Sequence, residues 1–219
     1  MFTRHVPIQW IALALALVLA VIAFSFAPAR TGIAAHPAPL FDDPDSPVAG
    51  NPEGDVTLVE FFDYRCIYCK RMLNVIAAVI EEDPGVRVVF KEYPIFGRDS
   101  MFAARAALAS RNQDPAKYLA FHRALMSHRG SLSENTTLAI ARDLGFDAER
   151  IEADMNAPAI TEAIARNHAV AREIGVVGTP NLVIGSHLVP GTVDARFLRD
   201  LIAQTRDSVP ARLAQQTVN

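Results

Sequence analysis

The chain has 219 residues, with 21 Lys and Arg against 24 Asp and Glu, a net charge of −3 and 51% hydrophobic residues. Charge of that balance, with both signs interspersed, carries no nucleic-acid footprint, and the apolar content is ample for the core of one ordinary domain. Two cysteines are too few for the disulfide framework of a small secreted scaffold, so their value must be local.

Residues 10–29 carry no charge, contain one hydroxyl (Ser25), and follow Arg4 and His5. A run of that length suits the secretory machinery and can span a bilayer, so two readings stay open: a signal peptide over 1–29 cleaved near Ala27-Pro28-Ala29 or Ala34-Ala35, or an anchor retained over 8–29. Both place the domain in a periplasmic or other extracytoplasmic compartment, where disulfides persist. Residues 30–50 are rich in Pro, Ala and Asp without apolar periodicity and read as a tether. The domain is expected over 51–207, followed by a tail over 208–219.

Residues 56–64 (VTLVEFFDY) have the β-branched and aromatic content of a strand, and 69–83 place Leu73, Ile76, Ala77 and Ile80 at helical spacing. The motif therefore reads strand, Cys66-Ile67-Tyr68-Cys69, helix. At a helix start, free N–H groups and the positive end of the dipole favour a thiolate, so Cys66 is expected to be the attacking sulfur, exposed at the sheet edge. Arg65, Lys70 and Arg71 add positive potential. Cys69, one turn further in, is expected to be more buried and to resolve. Asp63 and Tyr64 adjoin the pair as rim or packing residues.

Pro84-Gly85 marks a turn, and residues 86–93 (VRVVFKEY) form a second strand, with Val86, Val88 and Phe90 alternating against Arg87, Val89 and Lys91. Joined through a helix, the two strands should be parallel. Signals over about 97–174 are helical, punctuated by Asp114-Pro115, the capping candidate Ser131-Leu132-Ser133-Glu134, Gly145, Asp147 and Pro158. His122, His128 and His168 lie on separate helices without shared ligand spacing and read as surface or partly buried residues. Strand signals return at 181–184 and 187–189, and a helix over 194–202 closes the domain. Gly178-Thr179-Pro180 stands directly before the third strand, where proline fits a strand start or a special turn. The expected fold is an α/β sheet with an all-helical subdomain inserted between its second and third strands.

The segments 59–70 (VEFFDYRCIYCK), 89–94 (VFKEYP) and 178–180 (GTP), with further agreement from Asp45 to Ile202, resemble the DsbA-like family of thioredoxin-fold thiol-disulfide oxidoreductases. The resemblance implies a thioredoxin-like fold, Cys66 as nucleophile and Cys69 as resolving thiol. It also implies a cis Pro180 beside the pair, Thr179 offering its backbone to substrate, and Ile67 and Tyr68 as further substrate contacts. Glu60, six residues before Cys66, matches a buried acidic position and would accept or shuttle the Cys69 proton. The implied cofactor is none beyond the Cys66-Cys69 disulfide. The implied partners are reduced or unfolded exported proteins and a quinone-linked membrane reoxidant.

Ile67-Tyr68 differs from the Pro-His pair of the best-known oxidases, so disulfide introduction is the leading expectation and isomerisation or reduction by the same fold stays open. The short tether lacks a helical stalk, and a monomer is expected. No metal is expected, although a soft thiol pair with Met72 nearby leaves Cu(I) handling as an alternative, and a chaperone-like binder is a third.

Overall fold

The computed structural model describes residue 33 and residues 37–216, with side chains through Ser208. Five strands form one sheet in the order β1-β3-β2-β4-β5: β1 Val48–Gly50, β2 Val56–Phe62, β3 Val86–Glu92, β4 Asn181–Ile184 and β5 His187–Pro190. β2 and β3 are parallel, as the intervening helix requires, while β1, β4 and β5 pair antiparallel with their neighbours.

The central strands are covered on both faces, and the two-residue period of a strand divides their side chains between two cores. Val56, Leu58 and Phe62 of β2, with Val86, Val88 and Phe90 of β3, enter the larger cluster. Val59, Phe61 and Val89 enter the smaller one on the opposite face. Glu60, between Leu58 and Phe62 in the register, therefore shares a face with the larger core.

Helix α1 (Pro37–Phe41) and helix α2 (Ile67–Glu82) flank β1 and β2 in the chain. The buried stripe of α2 is Cys69, Met72, Ile76 and Val79, one residue displaced from the stripe the sequence suggests, with Leu73 and Ile80 only partly buried. Asp83 ends the helix, its N–H bonded to the Val79 carbonyl, and Pro84 follows, restricting continuation.

The expected helical insert is present. It comprises α3 (Arg98–Ser110), a 3-10 turn at Pro115–Lys117, α4 (Tyr118–Ser127), α5 (Glu134–Asp143), α6 (Ala148–Asp154) and α7 (Pro158–Glu173). Asp114, Ser133 and Asp147 accept from the N–H of Ala116, Thr136 and Arg150, which satisfies donors that helix starts leave free. α3 is rich in buried alanines, and the absent side-chain bulk lets neighbouring helices approach it closely.

Two boundaries differ from expectation. From Pro37 onward the segment read as a tether belongs to the domain. Leu40 of α1 is fully buried with Val59, Phe61, Val89 and Val183, and β1 pairs Val48, Ala49 and Gly50 with β3. Polar contacts fasten the same stretch. Buried Lys91, on the Val89 face of β3, donates to Pro39 O (2.7 Å), Ser46 Oγ (2.7 Å) and Asp43 Oδ2 (3.1 Å). A buried ammonium needs such partners, and here the N-terminal segment supplies all three. The last helix, α8 (Ala195–Gln216), runs well past Ile202 and through most of the expected tail. Among the described residues no helix is long and apolar enough to cross a membrane, and the candidate anchor at 8–29 lies outside them.

Candidate active site at the end of the second strand

Antiparallel pairing of β2 with β4 sets Phe61 opposite Asn181, so the chain leaving β2 and the chain entering β4 meet at one sheet edge. That register brings Cys66 and Thr179, 113 residues apart, into contact: Cys66 Sγ donates to Thr179 O at 3.2 Å. The Thr179-Pro180 peptide is cis, and Pro180 is buried.

Cys66 is the residue immediately before α2, with extended backbone angles, and its own N–H bonds to Asp63 O. Contrary to the expected exposure it is buried, with 3% of its surface accessible, because the Thr179 segment lies over it. Its thiol is held down to about 6 from an ordinary 9.0, first by the hydrogen bond from Cys69, then by the backbone N–H groups of Cys69 and Tyr68, all against the cost of burial. The donors are those of a helix start, which stabilise an anion. Cys69 moves the other way. Burial, its hydrogen bond to Cys66 and the charge of Glu60 push it far above the thiol range, so it keeps its proton. At neutral pH the site therefore favours an ionised Cys66 beside a protonated Cys69, and in this structure no disulfide joins the two.

Glu60 is 2% exposed, and its Oε1 has no hydrogen-bond partner among the described residues. It borders a narrow cavity with Leu73, Ile76, Phe90 and His122. Burial, with the Cys66 charge second, pushes its carboxyl up to about 8. An unpartnered carboxylate in apolar surroundings is costly, so the protonated form prevails near neutrality.

Several groups around the pair show their roles only in three dimensions. Asp63, 1% exposed, accepts four hydrogen bonds: from Arg65 N (2.7 Å) and Ser100 Oγ (2.8 Å) at Oδ1, and from Ile95 N (2.7 Å) and Phe96 N (3.1 Å) at Oδ2. It knots the turn before Cys66 to the start of the helical insert. Its bond to the N–H two residues on is an Asx turn, a signal the Asp-Tyr-Arg-Cys run already carries. Lys70 fastens α2 to the end of α4 within the insert, its Nζ donating to the carbonyls of Leu125 (3.2 Å), Met126 (3.1 Å) and His128 (3.0 Å).

His122 corrects the reading of a surface or partly buried residue: it is 1% exposed, among Phe62, Tyr64, Phe90 and Tyr118. Burial, then the Arg123 charge, pushes it down to about 3, so the ring is neutral. Tyr64 donates to Glu92 Oε1 at 2.9 Å and lies 3.2 Å from His122 Nδ1. A hydroxyl has one proton, so the compatible tautomer carries hydrogen on Nδ1 and donates to Tyr64. Tyr118 also donates to Glu92, whose carboxyl burial raises well above the ordinary range. Tyr64 is therefore a packing residue of this buried network rather than part of the rim. Ile67 and Tyr68, in contrast, are 60% and 52% exposed. Among the described residues no group of three His, Cys, Asp or Glu is placed to hold a metal.

A strand, two cysteines at a helix start with opposed acidities and a cis proline across from them define a thioredoxin-fold thiol-disulfide oxidoreductase. The chain belongs to the DsbA-like thioredoxin domain family, whose model matches residues 57–203. It is similar to a thioredoxin-like oxidoreductase from Silicibacter pomeroyi DSS-3, with 49% identity, a TM-score of 0.75, and coverage of 78% of this chain and 97% of that one. It also resembles a probable disulfide bond formation protein D of Bacillus cereus, 25% identical over 157 residues, 67% of this chain and 73% of that protein. A further relative, the Na(+)/H(+) antiporter NhaA of Herminiimonas arsenicoxydans, is 28% identical over 163 residues, 73% of this chain, and the chain spans 25% of its length.

Proposed function

We propose that this protein introduces disulfides into exported polypeptides outside the cytoplasm, using Cys66 as the sulfur that meets substrate and Cys69 as its partner, which leaves in the forward direction and resolves the mixed disulfide in the reverse one. The observation that carries this reading is the opposed acidity of the pair, Cys66 held down to about 6 and Cys69 pushed up. A thiol that leaves readily as thiolate makes the reduced pair the favoured product, so the oxidised pair tends to give its disulfide away.

In the oxidised protein, a substrate thiolate attacks Cys66 Sγ. The Cys66-Cys69 bond breaks, a substrate-Cys66 bond forms, and Cys69 departs with the electron pair. Its high proton affinity demands a proton at once, and protonated Glu60, close enough for its charge to act on Cys69, is the proposed source. A second substrate thiolate then attacks the substrate sulfur, completing the substrate disulfide and releasing Cys66 as a stabilised thiolate. Two electrons have passed from substrate to the pair, and a quinone-linked membrane partner is proposed to remove them.

Thr179 and Pro180 are proposed to seat the substrate backbone, with Ile67 and Tyr68 against its side chains. Main-chain pairing holds an extended peptide without regard to most of its sequence, which suits a catalyst of many substrates. The apolar run at 10–29 supports the extracytoplasmic location and leaves anchor and cleaved signal both open.

The test is oxidative refolding of a reduced, unfolded substrate. Cys66→Ala should abolish turnover while keeping the fold, and unchanged turnover in that variant would overturn the mechanism. Stoichiometric Cu(I) binding without thiol exchange would instead favour metal handling.

A further inference from the structure

Three cations flank the cysteine pair, and the fold uses two of them. Arg65 donates to Phe96 O at 2.8 Å and lies 3.9 Å from Asp99. The Lys70 ammonium is committed to three carbonyls at the end of α4. Arg71 is exposed, and among the described residues its guanidinium makes no ion pair or hydrogen bond. Its guanidinium carbon lies 5.3 Å from the ring centroid of Tyr68, three residues earlier on the same helix face.

The surroundings are apolar and open. Ile67 (60% exposed) and Tyr68 (52%) stand between the cysteines, and Val177 (93%) lies two residues before the Thr179 carbonyl that touches Cys66. Ile95 and Phe96, 37% and 47% exposed, are fixed beside the same turn by the Asp63 carboxylate. Large exposed apolar groups of this density mark a contact surface. A guanidinium laid on an aromatic ring keeps its planar set of donors free for a carboxylate.

We propose that Arg71, held over Tyr68, is a carboxylate subsite, and that the preferred substrates carry Asp or Glu close to the reacting cysteine. The proposal rests on the exchange function above and adds a charge preference to it. Tyr68 sets the height and orientation of the guanidinium, and the apolar rim accepts the remaining side chains. An uncompensated positive charge five residues along the chain from the reacting sulfur also speeds encounter with acidic segments.

The experiment uses the full-length oxidised protein and three dithiol peptides that differ only in a Glu, Gln or Lys beside the first cysteine. Each rate is divided by that peptide's rate with a small uncharged disulfide, which removes the effect of the substituent on the peptide thiol itself. The Glu peptide should exceed the Gln peptide in normalised kcat/KM by about twofold to fivefold, the range of an exposed ion pair, with Lys lowest. Added salt should shrink the preference. Arg71→Ala should bring the Glu to Gln ratio close to one, Arg71→Glu should invert it, and Tyr68→Ala should leave an intermediate value. Equal rates for Glu and Gln in the native protein, or an unchanged ratio in Arg71→Ala, would overturn the subsite. Loss of turnover with the Gln peptide in the native protein would instead refute the exchange function.

Discussion

Replacing Cys69 with Ala tests why Cys66 is acidic. The drop from 9.0 to about 6 in the native site corresponds to about 4 kcal/mol of preference for the thiolate. Its largest source is the hydrogen bond from the Cys69 thiol. A hydrogen bond to a charged group contributes about 1.5–3 kcal/mol, so deleting it should move the Cys66 midpoint upward by about one to two pH units. The backbone donors at Tyr68 and Cys69 survive the substitution and should keep the midpoint below 9.0. The assay is the pH dependence of Cys66 alkylation by iodoacetamide in the reduced protein, with native protein beside the variant. A native midpoint near 9.0, or a Cys69→Ala midpoint still at about 6, would refute the reasoning.

Other expectations rest on the same geometry. Glu60 is raised from 4.5 to about 8, so its contribution to stability is fully present below 4.5 and is lost as pH rises through 8. In the reduced protein, where the Cys66 charge contributes to that shift, Glu60→Gln should remove a loss on the order of 5 kcal/mol in all, about half of which falls between pH 6 and pH 9, where urea unfolding of both variants would measure it. Cys66 has the opposite sign: its raised acidity stabilises the reduced protein fully above 9.0, and that contribution is lost as pH falls through about 6. Leu40→Ala should cost about 2–5 kcal/mol in urea unfolding if residues 37–50 are part of the core, and nothing measurable if they are a tether. Asp63→Asn should destabilise by about 1–3 kcal/mol, because its amide nitrogen faces N–H donors, and should raise the KM for peptide substrates by loosening Ile95 and Phe96. An unaltered KM in the folded variant would remove Asp63 from the positioning of the rim.

The site was legible wherever local rules decide structure. A β-branched and aromatic run, two cysteines and a helical stripe place Cys66 at a helix start without knowledge of the remaining chain. Burial of Cys66 was not legible, since its cover is the Thr179 segment, which arrives through the pairing of β2 with β4. α1 and β1 escaped for a related reason. They are five and three residues long, too short for a period, and are held by Leu40 burial and by the Lys91 contacts, all made with distant strands. His122 gives no local sign of its depth, because which face of α4 turns inward is set by Phe62, Tyr64 and Phe90. Lys91 misleads in the same way: on sequence it marks an exposed face, yet the N-terminal segment covers it.

The reduction potential of the Cys66-Cys69 pair, measured against glutathione as a function of pH, tests the central claim most directly. If Cys66 ionises at about 6 while Cys69 keeps its proton, reduction takes up two protons below that pH and one above it. The potential should then fall by about 59 mV per pH unit below the break and about 30 mV per unit above it, and at pH 7 should lie above the glutathione poise. A single steep slope through pH 6 toward 9, with a potential below that poise, would contradict the account of Cys66 as a stabilised thiolate in a disulfide donor.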